Sequence, residues 1–361
     1  MSRYFKVVSV MAILTFVFGA CEPVVTHPIP YTISTLTSIS PARLTIVCGA
    51  QEDWCQIMTK TFQAETGIET DYVRHSSGDV IHILEASQGN PEFDVWHGGP
   101  ADGYIVARNK DLLETYISPD AAVIPEPYKD RNGYWTGVYV GALGFCSNKK
   151  MLDEIGVPVP QSWDDLLDPR LKDLVAMSHP ATSGTAYTTA WTLVTLNNEM
   201  DKEAKDMDRT FAYFIKLNSN ILIYPQTGVA PPQMAGRGEV AVGISFSHDC
   251  VKYYEEGMKD LVVSFPREGT GYEIGGVAII KNTKNLEAAK KYVDWALTAR
   301  VQEISATVRS YQRPTNPNAR VPAQAFSEAV RLVDYDFEKS AAHKDAIVKI
   351  FIEKVVPAPR Q

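Results

Sequence analysis

HPATSGTAYTTAW, which runs from His179 to Trp191, has the pattern of a strand end, a turn of small residues and the start of a helix. The apolar run at 175–177 forms the strand end, and Pro180 terminates it. Three hydroxyl residues of the turn can cap a helix beginning near residue 186: Thr182, Ser183 and Thr185. The first backbone N–H groups of a helix have no intrahelical acceptor, so this turn is a candidate site for a phosphate or carboxylate. The alternative is an ordinary capped helix.

Three turns after predicted strands combine hydroxyl groups with backbone N–H groups. They consist of Ser76, Ser77 and Gly78, of Ser183, Gly184 and Thr185, and of Gln226, Thr227 and Gly228. Each pattern also fits a helix cap or an ordinary turn. Together, such turns suit a dianion with several acceptor oxygens and need no patch of basic side chains.

Strands and helices alternate regularly from residue 44 onward. Strands are predicted at 44–48, 68–73, 94–97, 141–147, 175–177, 221–224, 239–246, 261–265 and 277–281. Helices are predicted at 54–65, 80–88, 149–155, 163–167, 208–217, 286–297 and 301–308, near residues 101 and 186, and within 335–355. This alternation predicts an α/β fold with a mostly parallel sheet and with ligand-contacting loops at the carboxyl ends of its strands.

The composition is that of an exported globular protein, since 45% of the 361 residues are hydrophobic and 22% are charged. The formal net charge of −8 and the lack of basic runs argue against a nucleic-acid partner. Among the five cysteines and seven histidines there is neither a CxxC motif nor a His cluster with zinc spacing. We therefore expect no metal and no cofactor.

The N-terminus has the features of an export signal. Two basic residues precede an apolar run at 7–18, and a Gly-Ala-Cys tripeptide ends at Cys21. The segment resembles a bacterial lipoprotein signal, which implies a signal peptide at 1–20 and an anchor through lipidated Cys21. Residues 21–42 are rich in Pro, Thr and Ser and are predicted to form a tether. The alternative is simple secretion, and the intact mass of the mature protein, with or without acyl groups, distinguishes the two.

The other four cysteines are an even number in a chain bound for an oxidising compartment, which is compatible with disulfides. Cys48 and Cys55 flank the short stretch 49–54 and are predicted to pair. Cys146 and Cys250 can pair only if the fold brings them together. The alternative for each is a free buried thiol.

Four stretches share their pattern with one family of binding proteins. They are NPEFDVWHGGPAD at 90–102, SGTAYTTAW at 183–191, GRGEVAVGISFSHD at 236–249 and GYEIGGVAIIKNTKNLEAAKKYVDW at 271–295. In these stretches the chain resembles the substrate-binding proteins of bacterial ABC importers, in the branch that holds ferric-iron, phosphonate and sugar-phosphate binders. The resemblance extends from about residue 44 to about residue 356.

That resemblance implies a type II periplasmic-binding-protein fold, with two lobes that are each a mostly parallel sheet flanked by helices. Lobe 1 is expected to comprise residues 43–143 and 275–361, and lobe 2 residues 144–274. The chain would cross between the lobes near 143–147 and near 274–280. In this family the solute binds in the cleft between the lobes.

Polar residues near other strand ends are candidates for contact with the rest of the ligand. Gln51 and Glu52 follow the first strand, and His248 and Asp249 interrupt an apolar pattern at a strand end. Glu273 can accept a hydrogen bond from a sugar hydroxyl, although a surface carboxylate is the alternative. Three rings can flank a sugar or belong to the core: Trp96, His97 and Tyr187.

The predicted function is capture of a small phosphorylated solute, expected to be a hexose phosphate, by the extracytoplasmic component of an ABC importer. We expect a monomer that passes its solute to a membrane permease. An aminoalkylphosphonate is the main alternative, and hydrolysis in the cleft is a remote one. The motifs GxSxG, HExxH and the P-loop are absent from the sequence, which argues against an enzyme.

Ferric iron is a further alternative, because in the iron-binding branch adjacent tyrosines follow the strand that matches EVAVGISF. Ser247, His248 and Asp249 stand at that position here. Tyr253 and Tyr254 come later, in a predicted helix, where neighbouring side chains diverge by about 100°. Iron binding is therefore not expected.

Overall fold

The computed structural model of the protein describes residues 43–356. The predicted signal peptide, the lipidation site Cys21 and the tether at 21–42 lie outside the described residues and stay predictions. Between residues 43 and 356, no helix has the length and apolar character that a membrane crossing requires.

The strands of the described region form one mixed sheet. They are β1 (Arg43–Cys48), β2 (Glu69–Arg74), β3 (Val95–Pro100), β4 (Leu113–Glu114), β5 (Thr136–Asn148), β6 (Val175–Met177), β7 (Ile221–Ile223), β8 (Val242–Phe246), β9 (Leu261–Ser264), β10 (Tyr272–Ile280) and β11 (Arg313–Pro314). Their order is β2-β1-β3-β10-β5-β8-β6-β7, with β4 beside β10 and with β9 and β11 beside β5.

Helices cover the sheet and follow most of its strands. They are α1 (Glu52–Thr66), α2 (Ser77–Ala86), α3 (Ala101–Asn109), α4 (Lys149–Glu154), α5 (Gly184–Leu196), α6 (Asp208–Leu217), α7 (Ala230–Arg237), α8 (Ser247–Glu255), α9 (Leu286–Leu297), α10 (Ala299–Gln302), α11 (Ile304–Thr307) and α12 (Phe337–Lys354). Short 3₁₀ helices lie at Pro119–Val123, Glu126–Tyr128, Asp164–Leu167, Pro169–Leu171 and Ala204–Asp206.

Two parallel groups of strands, β1 to β3 and β6 to β8, are joined by the long antiparallel strands β5 and β10. Residues 136–142 of β5 pair with β10, whereas residues 143–148 pair with β8 and β9. Both long strands begin earlier than predicted, β5 at Thr136 and β10 at Tyr272. As a consequence Glu273, expected just ahead of a strand, lies within one.

Helix α1 shows how the local sequence produces these elements. Trp54, Met58 and Phe62 recur every four residues and are all buried, so one face of the helix packs into the core. Gly67 ends the helix with a φ of 72°, a left-handed conformation that glycine adopts without steric cost.

The closing helix α12 contributes side chains to two apolar clusters of the core. Its Ala341 belongs to the apolar cluster around Trp96, whereas Ile347 and Phe351 belong to the cluster that contains Phe214 of α6. The predicted lobe boundaries, which assign residues 275–361 to lobe 1, stay a prediction.

Two disulfides join segments that border the cleft described below. The predicted pair of Cys48 and Cys55 is bonded, with 6.0 Å between the Cα atoms. Cys146 of β5 and Cys250 of α8 are also bonded, with a Cα–Cα distance of 5.4 Å. The first disulfide holds the loop after β1, and the second holds the start of α8 against β5.

Candidate functional site

A polar cleft lies where the carboxyl ends of strands from the two parallel groups meet. Its lining consists of Gly49, Ala50, Gln51, Arg74, Ser76, Ser77, Gly99, Pro100, Tyr139, Ser183, Gly184, Thr185, Gly228, Val229, Phe246, His248, Asp249, Glu273 and Gln312. Most of the residues that the sequence singled out are therefore brought together, although they come from segments more than two hundred residues apart.

Hydroxyl groups and helix starts line one part of the cleft. Ser76 is the N-cap residue of α2, and Ser183 is that of α5, where its Oγ accepts a hydrogen bond from the N–H of Ala186 at 3.4 Å. The two turns lie close together, because a Cβ added to Gly184 would lie 3.2 Å from the Oγ of Ser77. Two helix N-termini thus face the same space.

The third predicted turn reaches the cleft only through Gly228. A Cβ at this glycine would lie 2.9 Å from the Cβ of Thr185 and 3.4 Å from the Oγ of Ser183. Gln226 and Thr227, also predicted to contact the ligand, do not line the cleft. Their carbonyl groups instead accept hydrogen bonds from the hydroxyls of Thr182, at 2.9 Å, and Ser178, at 2.7 Å.

Two further predicted residues lie beside the cleft rather than in its lining. The carboxylate of Glu52 is exposed and accepts a hydrogen bond from the Tyr72 hydroxyl at 2.6 Å. The N–H of Gly78 donates to the carbonyl of Thr182 at 3.2 Å, so this group is already engaged. Gly78 is needed for the close approach of that turn, since a Cβ there would lie 2.6 Å from the carbonyl oxygen of Ala181.

Arg74, which the sequence analysis missed, carries a positive charge into the cleft. It is the last residue of β2 and pairs in register with Cys48 at the end of β1. Its Nε donates to the carbonyl of Ala50 at 3.1 Å, and its two terminal nitrogens have no hydrogen-bond partner among residues 43–356. No other Lys or Arg lines the cleft in the described part of the chain. Its position directly after a predicted strand, two residues before Ser76, was the signal in the sequence.

Asp249 lies at the centre of a hydrogen-bond network on the other side of the cleft. Its carboxylate accepts from the Nε2 of Gln51 at 2.5 Å and from the hydroxyl of Ser245 at 3.1 Å. The hydroxyl of Ser310 donates in turn to the Oε1 of Gln51. The network holds Gln51 and Asp249 in place across the cleft.

His248 and Glu273 are buried together opposite Gly141 of β5. The Nε2 of His248 lies 3.8 Å from the Oε1 of Glu273, and a Cβ at Gly141 would contact both side chains. Burial raises the pKa of Glu273 well above its usual range, and the charge of Asp249 acts in the same direction. Burial also lowers the pKa of His248. Both pKa shifts favour the neutral forms of Glu273 and His248, and each neutral side chain can donate one hydrogen bond and accept another.

Gln312 and Tyr139 complete the polar lining and were not predicted. Gln312 is only 2% exposed, and its Oε1 has no hydrogen-bond partner within residues 43–356. The hydroxyl of Tyr139 accepts from the N–H of Gly99 at 3.0 Å. Burial raises the pKa of Tyr139 well above its usual range, so the phenol keeps a proton that it can donate. Gln312 lies in an irregular proline-containing segment without a sequence pattern that would have identified it.

Trp96, His97 and Tyr187, considered as residues that could flank a sugar, are in the core and do not line the cleft. The ring of Trp96 stacks on Tyr104 with 4.1 Å between centroids. His97 contacts the edges of Trp54 and Tyr292, and neither of its ring nitrogens has a hydrogen-bond partner in the described region. These rings therefore contribute to packing.

Burial lowers the pKa of His97 to about 4, from 6.5 in the unfolded chain, which predicts a loss of stability in acid. The stabilisation of the folded state by the neutral imidazole is fully present above pH 6.5. It is lost as the pH falls through 4, by about 3 kcal/mol in total. We expect His97→Phe, which keeps the ring contacts, to remove this part of the acid destabilisation. Urea unfolding of both proteins at pH 7.5 and pH 4 measures it.

The control is His82→Phe at an exposed histidine of α2, whose side chain is 70% accessible. This substitution controls for the replacement of a histidine by phenylalanine at a position outside the core. An acid destabilisation of the same size in His97→Phe and in the unmodified protein would contradict the prediction.

Among residues 43–356, no group of three or more His, Cys, Asp or Glu side chains could hold a metal ion. Tyr253 and Tyr254 both lie in α8, as predicted. The hydroxyl of Tyr253 lies 3.4 Å from the carbonyl of Val229, whereas Tyr254 is exposed beneath the ammonium of Lys259. That ferric iron is not a ligand stays a prediction. A visible absorption band on addition of ferric citrate, lost in Tyr253→Phe, would contradict it.

The fold and the cleft together define a class of protein. Residues 58–331 match the family model of bacterial extracellular solute-binding proteins, and the chain belongs to this family. The fold is the predicted two-lobed type II fold of periplasmic binding proteins. The chain is thus the periplasmic solute-binding component of an ABC importer.

The chain is similar to several particular proteins. The structure of the periplasmic binding protein AfuA from Actinobacillus pleuropneumoniae, solved with exogenous fructose-6-phosphate bound, is 37% identical. It matches with a TM-score of 0.83 over 88% of this chain and 99% of that one. An uncharacterized protein of Haemophilus influenzae is 37% identical over 87% of this chain and 90% of its own length. A putative 2-aminoethylphosphonate-binding periplasmic protein of Salmonella typhi is 31% identical over 46% of this chain and 45% of its own length.

Proposed function

We propose that this solute-binding protein captures a hexose phosphate in the cleft. The observation that carries the proposal is the division of the lining into two chemically different parts. One part has hydroxyls, helix starts and Arg74, and the other has the neutral hydrogen-bonding groups around Glu273. A phosphorylated sugar has the same two parts.

The phosphate is assigned to the space between α2, α5 and Arg74. Donors converge there from the hydroxyls of Ser77 and Ser183 and from the first turns of both helices. Helix N-termini favour anions because their N–H groups are unpaired and carry the positive end of the helix dipole. The two terminal nitrogens of Arg74, which have no acceptor within the described residues, add a donor pair that matches phosphate oxygens.

The sugar hydroxyls are assigned to the part of the cleft that contains His248, Glu273 and Gln312. The Oε1 of Gln312 has no hydrogen-bond partner within residues 43–356, and a sugar hydroxyl can supply the donor that it requires. Glu273 and His248 in their neutral forms can each both donate and accept, as a hydroxyl does. This part therefore suits an uncharged polyol.

The same electrostatics disfavour the main alternative, an aminoalkylphosphonate. An ammonium group needs a charged partner when it leaves water. Burial raises the pKa of Glu273, which favours its neutral form, and the carboxylate of Asp249 already accepts hydrogen bonds from Gln51 and Ser245. The relative named for 2-aminoethylphosphonate matches less than half of this chain, whereas the AfuA structure with fructose-6-phosphate covers 88% of it.

Closure of the two lobes around the solute is the proposed mechanism. Three contacts join segments that are assigned to different lobes: Gln51 with Asp249, Asp53 with Lys252, and Gly78 with Thr182. A ligand that contacts both sides binds the closed form more tightly than the open form. That difference shifts the population toward the form presented to the membrane permease.

Isothermal calorimetry with fructose 6-phosphate, glucose 6-phosphate, the two free hexoses and 2-aminoethylphosphonate tests the proposal. The phosphates should bind much more tightly than the free sugars. A free hexose that binds as tightly as its phosphate would refute the phosphate site. Preferential binding of the aminophosphonate would establish the alternative.

Glu273→Gln separates the two ligand classes further. For a hexose phosphate the variant loses at most one neutral hydrogen bond, so we expect affinity to fall roughly two- to tenfold, about 0.5 to 1.5 kcal/mol. An ammonium ligand would need Glu273 in its ionised form as a charged partner, which glutamine cannot supply, so its affinity should fall considerably more. Calorimetry of both ligands with the variant measures the difference.

Glu52→Gln is the matched control, because Glu52 lies outside the cleft lining and should leave affinity unchanged. Stability provides a second control. A carboxyl whose pKa is raised by folding stabilises the folded state in acid and loses that contribution as the pH rises. The ligand-free Glu273→Gln variant should therefore be at least as stable as the unmodified protein at pH 8, and a large loss of stability would point to misfolding instead.

A further inference from the structure

His179, which does not line the cleft, holds the backbone of the proposed phosphate-binding turn. It is fully buried two residues after the end of β6, at the start of that turn, and it accepts hydrogen bonds from the three N–H groups of Ala181, Thr182 and Ser183. We infer that His179 is the positioning residue of this turn and that it determines which backbone N–H groups remain free for an anion. The inference rests on the proposed function.

Three consecutive N–H groups of the turn donate to His179. The N–H of Ala181 donates to the ring Nδ1 at 3.1 Å. The N–H groups of Thr182 and Ser183 donate to the His179 carbonyl at 3.2 and 2.9 Å. Pro180 has no N–H, so His179 accepts from every backbone N–H of the turn between residues 180 and 183.

The next two N–H groups, of Gly184 and Thr185, begin α5 and have no intrahelical acceptor. These residues line the cleft. Because His179 turns the three preceding donors inward, the chain enters α5 with its first free donors facing the proposed phosphate position. A change in the acceptor at 179 would therefore alter the direction of these donors.

The ring can act as an acceptor only as a neutral imidazole with its proton on Nε2. The surroundings match this tautomer, since the Nε2 lies 3.4 Å from the carbonyl oxygen of Val356, which can accept a hydrogen bond from the Nε2–H group. Burial lowers the pKa of His179, which also favours the neutral form. No charged side chain contributes to that shift in the described part of the chain.

The rings of Tyr224 and Phe351 hold the imidazole in this orientation. Their centroids lie 6.2 and 5.4 Å from that of His179, and both approach it nearly edge-on. The N–H of His179 donates to the carbonyl of Pro225 at 3.0 Å, which fixes the backbone as well. A residue that precedes proline is also restricted to extended conformations, so Pro180 limits the alternatives available to His179.

Two substitutions test the inference. His179→Phe keeps a ring between Tyr224 and Phe351 but removes the acceptor at Nδ1. His179→Asn loses the aromatic packing but restores an acceptor, because an asparagine side chain can accept from the N–H two residues further on, which here belongs to Ala181. His343→Phe is the matched control, since the ring of His343 packs on Trp191 and its Nδ1 lies 2.8 Å from the carbonyl oxygen of Lys339.

Hydrogen–deuterium exchange of ligand-free protein over residues 181–187, together with calorimetry using fructose 6-phosphate, gives two readouts. We expect His179→Phe to speed exchange in this segment and to weaken binding, each by about tenfold, the effect of one lost hydrogen bond. His179→Asn should restore both to within about threefold of the unmodified protein. The control should change neither.

Exchange and affinity like those of the unmodified protein in His179→Phe would overturn the inference. Equal impairment of His179→Phe and His179→Asn would overturn it too, because packing alone would then explain both variants. If the unmodified protein binds no hexose phosphate, the proposed function is wrong. The exchange comparison still decides the role of His179 in that case, because it is measured without ligand.

Discussion

Arg74→Gln is expected to lower the affinity for a hexose phosphate by roughly 100-fold, about 3 kcal/mol, the upper end of the range for a hydrogen bond to a charged group. The effect should be this large because Arg74 is the only Lys or Arg in the cleft lining of the described chain, and because its terminal nitrogens have no other acceptor there. Arg74→Lys should recover part of the loss, since a lysine restores the charge without the planar pair of donors. Calorimetry with fructose 6-phosphate measures all three proteins.

Arg43→Gln is the matched control for the change in net charge. Arg43 lies on the neighbouring strand β1, its side chain is 60% exposed, and it pairs with Asp71. Its loss should leave the affinity unchanged, because the charges of exposed residues are screened over a Debye length of about 10 Å. An Arg74→Gln variant that binds fructose 6-phosphate as tightly as the Arg43→Gln variant would show that the phosphate lies elsewhere.

Removal of the disulfide between Cys146 and Cys250 is expected to cost about 5 kcal/mol of unfolding free energy on the chain-entropy model. The bond closes a segment with a sequence separation of 104, so it restricts the unfolded chain strongly. It also connects β5 to α8, whose first turn carries His248 and Asp249. We therefore expect Cys146→Ala/Cys250→Ala to unfold at a much lower urea concentration and to bind fructose 6-phosphate more weakly. Urea unfolding followed by tryptophan fluorescence and calorimetry measure these two effects.

Cys48→Ala/Cys55→Ala provides the matched comparison, because all four cysteines are buried and the cavity terms are similar. The separation between Cys48 and Cys55 is only 7 residues, so the expected loss is about 2 kcal/mol. The longer loop should therefore show the larger loss by about 2 kcal/mol. Equal losses for the two pairs would contradict the entropic explanation.

Much of the fold was predictable because its signals are local. The helix over residues 52–66 is recognisable from apolar residues at a spacing of four and from the glycine that ends it. The strand end, small turn and helix start at 175–196 were predicted together, and the structure differs only in beginning the helix at Gly184 instead of near residue 186. The bounds of β5 and β10 were less predictable, because their first halves contain several glycines and a strand pattern there depends on neighbours in the sheet.

The candidate site was predictable where its residues follow a strand and carry an unusual polar group. Ser77, Ser183 and Asp249 all satisfy this condition, and all line the cleft. Thr227 also satisfies this condition but does not line the cleft. Its carbonyl group instead accepts a hydrogen bond from the hydroxyl of Ser178. Local pattern therefore identified the turns but did not determine which group of each turn faces the ligand.

The sequence by itself determined the alternation of strands and helices, the polar turns at strand ends and the pairing of Cys48 with Cys55. Each of these depends on residues that are close together in the sequence. Only the tertiary structure decided that Arg74 and Gln312 enter the cleft, that Cys146 meets Cys250, and that Glu273 is buried beside His248. The reason is physical: these features depend on the register of β2 beside β1 and of β8, β10 and β11 beside β5, where β8 leads into the helix α8 that carries His248 and Cys250. Register is set by the packing of the whole sheet rather than by the residues of one strand.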